Sequence, residues 1–374
     1  MEFKLDFKGY FLTTKEETKY NTYLNKTNGS LVREIVFLVM AATNDPVGNR
    51  LYLPSQCLLT ALTTEDARES YKLTYSLQDI AYNHPEEQYL DKLERIRHQG
   101  NFRTNSRTAE NDYNIFGQTM DFDLSFTVPL MTHKRVAWKT CIKELLWFLK
   151  GDTSNLSLQQ QGVKIWNDNA NSQRQTSLQV SNGLLPGDLG PIYGFQWRHA
   201  GATYIDADTD YTGQGVDQIS NIINLIKNDP GSRRIILNAW SPSDVEKCVL
   251  PPCHMFAQFY VDQEAKTLSC QMYQRSADML LGVPFNVFSY AVLTMMIAQV
   301  CDLTPGMFHW TGGDCHVYEN HSNAVETFIS RDPTPSPLLK INPDVKNIDD
   351  FEIQDFELFG YFPRPNISNI PMAI

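Results

Sequence analysis

The run VFSYAVLTMMIAQVC, from Val287 to Cys301, carries no charge and is apolar on every face of a helix, so other elements have to enclose it. It falls short of a membrane span, which needs about 20 predominantly apolar residues, and Ser289, Thr294 and Gln299 interrupt it. The flanking sequence supplies the layers such a helix requires. In VAWKTCIKELLWFLKGDT, Ile142, Leu145, Leu146 and Leu149 recur at helical spacing, and Gly151 suits a C-terminal stop. GVDQISNIINLIKNDPGS repeats the pattern at Val216, Ile219, Ile222, Ile223 and Ile226 and breaks at Pro230. RRIILNAW then reads as a strand, and MFAQFYVDQEAKTLSCQMYQ as a hairpin with arms over 255–261 and 268–273. Helices mixed with antiparallel strands predict an α+β fold built on a mixed sheet.

The N-terminal text is of another kind. FKGYFLTTKEETKYNTYLNKTNGS is polar with scattered aromatics, and REIVFLVMAA resembles a short buried strand. From EEQYLDKLERIRHQGNF onward, helix and strand signals follow one another without a linker. The boundary is placed near residue 85, giving an extension over 1–85 and one main domain over 86–374. No internal repeat, glycine-rich phosphate loop or low-complexity tract appears.

Charge and cysteine usage narrow the function classes. A net charge of −11 argues against a surface that coats nucleic acid, although a small anion needs only a few arginines placed together. Seven cysteines, an odd number without a signal peptide, fit a reduced cytoplasmic protein better than a disulfide scaffold. No CxxC pair points to zinc, and His316 with His321 lacks a third ligand at useful spacing, so no metal is expected.

Five short stretches carry chemistry. In LPPCH, two prolines fix two φ angles just before Cys253, which reads as a thiol held at a strand end. Attack requires thiolate, hence nearby positive charge, and Arg107, Arg233, Arg234 and Arg275 are available; the alternative is a buried structural cysteine. SRR at Ser232 to Arg234 and QRS at Gln274 to Ser276 offer guanidinium forks suited to a phosphate dianion, or solvated surface arginines. In PFNVFSY, Asn286 opens the buried helix, where its amide could read a uracil-like edge or act as a cap. His316 and Tyr318 share a face if extended and could bind a sugar hydroxyl. Glu144, among Leu145, Leu146 and Trp147, is either a snorkelling surface group or a proton-handling carboxylate.

Together these stretches resemble the thymidylate synthase family. The resemblance runs from about residue 86 to the C-terminus and rests on the ordered motifs KELLWFLKGDT, GVKIW, GDLGPIYGFQWRH, DYTGQGVDQ, SRRIIL, LPPCH, YQRSADMLLGVPFN, GGDCHVYENH and the terminal PMAI. It implies the fold of that family, with one sheet face forming a homodimer interface. It also implies that Cys253 adds to C6 of dUMP and turns C5 into the carbon that attacks the one-carbon unit of 5,10-methylenetetrahydrofolate. His254 would support the cysteine, and Glu144 with Tyr193 would organise the water that removes the C5 proton. Arg107, Arg275 and Ser276 would bind the phosphate, with Arg233 and Arg234 donated from the neighbouring subunit. Asn286 would read the pyrimidine, and His316 and Tyr318 the ribose 3′-hydroxyl. The folate would stack near Trp166, contact Asn169, Asp278, Leu281 and Phe285, meet Lys134 at its glutamate tail, and be covered by Ile374. Nucleic acid and membrane are not expected partners.

The chain also departs from the family pattern. RTAEND stands where the phosphate loop usually reads Arg-Thr-Gly-Thr-Gly, which makes Arg103 a competitor to Arg107, and Asn167 follows Trp166 where Asp is usual. The family includes pyrimidine hydroxymethylases, as in phages with modified DNA, which admit water in the last step and give 5-hydroxymethyl-dUMP and tetrahydrofolate. A synthase protects that step and gives dTMP and dihydrofolate. Asn rather than Asp at 286 favours uracil over cytosine, and the synthase is the main expectation. A catalytically silent nucleotide-binding or regulatory member would have lost Cys253, Asn286 or the arginines, and all are present. IVFLVMAATNDPVGNRLYLP resembles the opening of dihydrofolate reductase but is too short for a whole reductase, so residues 1–85 read as an appendage or a protein-binding module.

Overall fold

The computed structural model describes residues 84–104, 110–125, 127–334, 336–367 and 370–371. The strand expected in REIVFLVMAA and the reductase-like opening therefore lie outside the described residues, as do Arg107 and Ile374. In chain order the helices are α1 (Glu87–Gln99), α2 (Trp138–Leu149), α3 (Asn155–Gln160), α4 (Asn167–Ala170), α5 (Gln173–Asn182), α6 (Tyr193–His199), α7 (Gln218–Asn228), α8 (Gly282–Val300) and α9 (Ser322–Ile329). The strands are β1 (Asn101–Thr104), β2 (Asn111–Asp123), β3 (Ile236–Asn238), β4 (His254–Asp262), β5 (Thr267–Asp278), β6 (Thr304–Tyr318), β7 (Leu338–Ile341) and β8 (Phe356–Phe359). Six of them form one mixed sheet in the order β1-β2-β6-β5-β4-β3, antiparallel except for β5 with β6. The expected α+β class is what the structure has.

The apolar run is the centre of this architecture. It lies in α8, where fourteen of nineteen residues are buried, and the helix packs across β5 and β6 with α2 on its other side. Among the described residues it is the one helix whose length and apolarity match a membrane span, and it is mostly buried inside the protein. Each buried Leu, Ile or Met of this helix contributes about 1.5–3 kcal/mol by leaving water. Truncating fully buried Leu293 to Ala is expected to cost about 2–5 kcal/mol.

Several boundaries moved for local reasons. The helix anticipated from Val216 begins at Gln218, because Asp217 caps it: its Oδ1 accepts the Ser220 N–H at 3.0 Å. Val216 instead pairs with Ala200 in an isolated bridge and is exposed. Arg233 and Arg234 sit in the turn before β3, where the Ser232 N–H closes on Asp229 O, so the strand is shorter than RRIILNAW. β5 runs five residues past Tyr273, as far as Asp278, because β6 pairs with it as far as His316.

Candidate active site

The Pro251–Pro252 corner leaves two carbonyls and no donors at the entrance to β4, and one side chain takes up both. Arg275 donates from Nε to Pro252 O at 2.8 Å and from Nη2 to Pro251 O at 2.7 Å. The same Nη2 lies 3.8 Å from Cys253 Sγ, and the guanidinium packs over the Trp240 ring at 5.1 Å. The Cys253 N–H donates to Tyr193 Oη at 2.7 Å, and Cys253 O accepts the Arg275 N–H at 2.9 Å. The thiol is thus fixed at both ends of its residue and faces a permanent positive charge, the setting a thiolate needs. The other cysteines of the described residues are unlike it. Burial pushes Cys301 up to about 11 and Cys248, Cys270 and Cys315 up to about 12, and Cys141 is raised as well. Cys141, Cys248, Cys270 and Cys315 are core thiols, and Cys301 packs half-buried against the core.

His254, the first residue of β4, is buried with its ring stacked on Tyr193, centroids 4.2 Å apart. Its Nδ1 lies 3.2 Å from Tyr290 Oη, and burial pushes the imidazole down to about 3, so it is neutral at physiological pH. Its contact with the Cys253 backbone is indirect, through packing on the tyrosine whose Oη accepts the Cys253 N–H. Tyr193 also meets Trp166 edge-on at 6.2 Å, and the Trp166 indole N–H donates to Glu144 Oε1 at 2.7 Å. Glu144 projects from α2 into this apolar setting, and desolvation pushes its carboxyl up to about 7 despite that hydrogen bond. Asn167 keeps its Oδ1 on Asn155 Nδ2 (3.2 Å) and Gln159 Nε2 (3.0 Å), accepting as an aspartate oxygen would.

Asn286 lies in the second turn of α8, past the cap position, and its Oδ1 accepts from Gln274 Nε2 at 2.9 Å. Gln274 Oε1 accepts the Trp310 indole N–H at 3.0 Å. An indole nitrogen only donates, so it fixes the glutamine amide, which fixes the asparagine amide, whose NH2 has no acceptor among the described residues. The Trp310 ring lies over Gly312, where a Cβ would come within 2.3 Å of it. Gln274 and Trp310 were missed from sequence; the signal was a glutamine inside QRS whose β5 position faces the core.

The sheet register gathers the remaining groups. His254 pairs with Gln274, Ser276 with Asp314, and Asp278 with His316, so β4, β5 and β6 bring their functional ends side by side. Two strand spacings are about 10 Å, the length scale of a nucleotide. His316 and Tyr318 are both buried, ring centroids 5.1 Å apart, and Ser276 is half-buried beside Arg275. His316 Nδ1 lies 3.2 Å from Asp314 Oδ1. Arg103 is engaged by Asp112 and Asp314. Arg233 and Arg234 are not brought to Cys253 within the chain: they are exposed, and Arg233 O accepts from Gln258 Nε2, roughly 17 Å along β4 from Cys253 at 3.3 Å per residue.

The sequence model of the family described as thymidylate synthase matches residues 87–374. The chain belongs to the thymidylate synthase family. It is 50% identical over 294 residues to the thymidylate synthase of Saccharomyces cerevisiae, covering 76% of this chain and 96% of that protein. It is 48% identical over 291 residues to the Homo sapiens thymidylate synthase, covering 78% of this chain and 91% of that one. A bifunctional dihydrofolate reductase-thymidylate synthase of Zea mays is 52% identical over 312 residues, 83% of this chain and 59% of its own length. The chain spans 51% to 62% of the length of the bifunctional plant relatives that head the comparison.

The cosubstrate that thymidylate synthases use is a folate, and most of the residues expected around one lie near Glu144 or at the entry to α8. Cys141 and Glu144 are one turn apart on α2; the Cys141 Sγ lies 4.0 Å from Phe285 O, and Glu144 holds Trp166. Phe285 and Trp166 therefore approach one stretch of α2, with Leu281 and Phe285 half-buried and Trp166 buried. Asn169 lies on α4, one turn from Trp166. Asp278 Oδ1 accepts the Leu280 and Leu281 N–H groups at 3.0 and 3.1 Å, fixing the entry to α8. Lys134 donates to Leu280 O at 2.6 Å, and burial pushes its amine down to about 8, offset in part by Asp278. Among the described residues no cluster of His, Cys, Asp and Glu is placed to hold a metal.

Proposed function

We propose that the protein is a thymidylate synthase, converting dUMP and 5,10-methylenetetrahydrofolate into dTMP and dihydrofolate. The observation that carries the reading is the Cys253 corner, with Tyr193 on its N–H and Arg275 on both proline carbonyls and 3.8 Å from its sulfur. Cys253 Sγ forms a bond to C6 of dUMP while the C5–C6 π electrons move towards C5 and O4. Arg275 and Ser276 take phosphate oxygens, with Arg107 as the loop arginine. Asn286 donates its NH2 to O4 and accepts the N3 proton at its Oδ1, in the orientation that Gln274 and Trp310 impose. His316 and Tyr318 hold the ribose 3′-hydroxyl. Glu144, whose carboxyl sits at about 7, exchanges a proton through water and so removes the C5 proton. The folate supplies the methylene and the hydride that complete the methyl group, and Trp166, Asn169, Asp278, Leu281 and Phe285 seat it while Ile374 closes over it.

The reading includes a homodimer. Arg233 and Arg234 stand too far along β4 to share an anion with Cys253 of their own chain, and they make no ion pair among the described residues, which suits donation to a second subunit. A nucleophilic thiol that has to stay reduced suits the cytoplasm. Incubation with dUMP and methylenetetrahydrofolate tests the reading: dTMP with dihydrofolate is expected, and C253A is expected to abolish turnover. Recovery of 5-hydroxymethyl-dUMP with tetrahydrofolate would establish the hydroxymethylase instead, and binding of dUMP without turnover a silent member of the family.

A further inference from the structure

Arg103 is the cation of the edge strand β1, and its guanidinium is engaged on both sides. Nε and Nη2 reach Asp112 Oδ2 at 3.2 and 3.1 Å, and Nη1 and Nη2 reach Asp314 Oδ2 and Oδ1 at 2.6 and 3.2 Å. The Asp112 side chain is fully buried and stands opposite Arg103 in the β1–β2 register. A carboxylate buried there without a partner would be strongly unfavourable, so the guanidinium is tied to this place. The second carboxylate it holds, Asp314, is the one that meets His316 Nδ1, and His316 is itself 5% exposed. An unbroken chain Asp112–Arg103–Asp314–His316 thus crosses β1, β2 and β6.

We infer that Arg103 is a positioning residue for the ribose reader His316, acting through Asp314, and is not a ligand of the substrate phosphate. The inference rests on the reading of His316 as the group that holds the 3′-hydroxyl. A bidentate fork fixes both oxygens of Asp314 in one plane. Oδ1 then accepts the proton on His316 Nδ1, which sets the ring and leaves Nε2 for a ligand. A guanidinium already shared between two carboxylates would have to abandon them to meet a phosphate, and those carboxylates would repel the dianion. The charges facing His316 are Asp314 on its own strand, Asp278 on β5 and Asp112 on β2, balanced by Arg103 from β1. They hold the imidazole above its usual range despite burial, and His316 and Arg103 hold Asp314 well below its own. Removing Arg103 takes away the one cation of the group, so the His316 ring is expected to titrate higher still.

Calorimetric affinities for dUMP and for 2′,3′-dideoxy-UMP, measured on the full-length wild-type protein and on R103M, separate the roles. The wild type is expected to prefer dUMP by about tenfold, the value of one hydrogen bond to a charged or polarised group. R103M is expected to lose most of that preference, through weaker dUMP binding with dideoxy-UMP binding unchanged. If R103M weakens both nucleotides equally, Arg103 is a phosphate ligand and the inference is overturned. If the wild type does not distinguish the two nucleotides, the hydroxyl-reading role of His316 fails first and the inference falls with it. Titration of the His316 ring by NMR needs no nucleotide: an upward shift in R103M supports the link, and an unmoved ring overturns it. Should R103M fail to fold because Asp112 is stranded, R103M/D112N compared with D112N alone takes the Asp112 charge out of both sides of the comparison and carries both measurements.

Discussion

A carboxylate at position 144 works against the fold that holds it. Its pKa is about 7 in the folded chain against 4.5 for the free group, so folding binds a proton between those values. The stability it permits is fully present below about 4.5 and is lost as pH rises through about 7, after which the loss is constant at up to about 3 kcal/mol. Neighbouring His254 runs the other way. Its folded value of about 3 lies below the 6.5 of the free ring, so its contribution is present above 6.5 and lost as pH falls towards 3. E144Q keeps the acceptor for the Trp166 N–H and removes the titration. The difference in melting temperature, variant minus wild type, is expected to rise between pH 4.5 and pH 7.5 and then level off, while turnover falls by roughly 10²–10⁴-fold. A flat difference curve would mean that Glu144 is not held protonated, and the proton-transfer role would go with it.

The segment that leaves β3 carries a second device at the scale of an element. The Ala239 N–H bonds Met255 O at 2.8 Å, and the Asn238 side chain clamps Trp240 on both backbone groups, so the Trp240 ring is delivered over Arg275 by the edge of the sheet. Replacing it should loosen the guanidinium that faces Cys253. W240A is expected to slow alkylation of Cys253 by iodoacetamide at pH 7 several-fold and to move the pH midpoint of that reaction upward, with W240F retaining most of the wild-type rate. An unchanged midpoint in W240A would show that Arg275 is held by the proline carbonyls alone. Periodicity in the sequence found α2, α7, α8 and the β4–β5 hairpin, because each hides one apolar set against one neighbour. It did not find the parallel pairing of β5 with β6 or the Trp310–Gln274–Asn286 chain, which depend on strands that sequence separates by a whole helix. The candidate site was legible where a motif gives both residue type and backbone, as in LPPCH. It was not legible where one buried polar group only orients another, as Gln274 does for Asn286.

Over the whole molecule, the six-stranded sheet sets one functional end against the other. The ends of β4, β5 and β6 near Cys253 bring together His254, Gln274, Ser276 and His316, while the turn before β3 places Arg233 and Arg234 near the opposite end of β4. If those arginines complete the phosphate site of a second copy, each site draws on two chains, and two differently damaged chains can repair one another. C253A lacks the nucleophile but keeps its arginines; R233A/R234A keeps the nucleophile but lacks the arginines it lends. Mixed in equal amounts and allowed to exchange subunits, half of the dimers are hybrids, and in each hybrid one of two sites has both an intact Cys253 and intact donated arginines. The mixture is therefore expected to recover about a quarter of wild-type activity, from two preparations that are each inactive or nearly so. Arginines acting within their own chain give a different result: C253A then contributes nothing, and the mixture shows only the residual rate of R233A/R234A diluted by half.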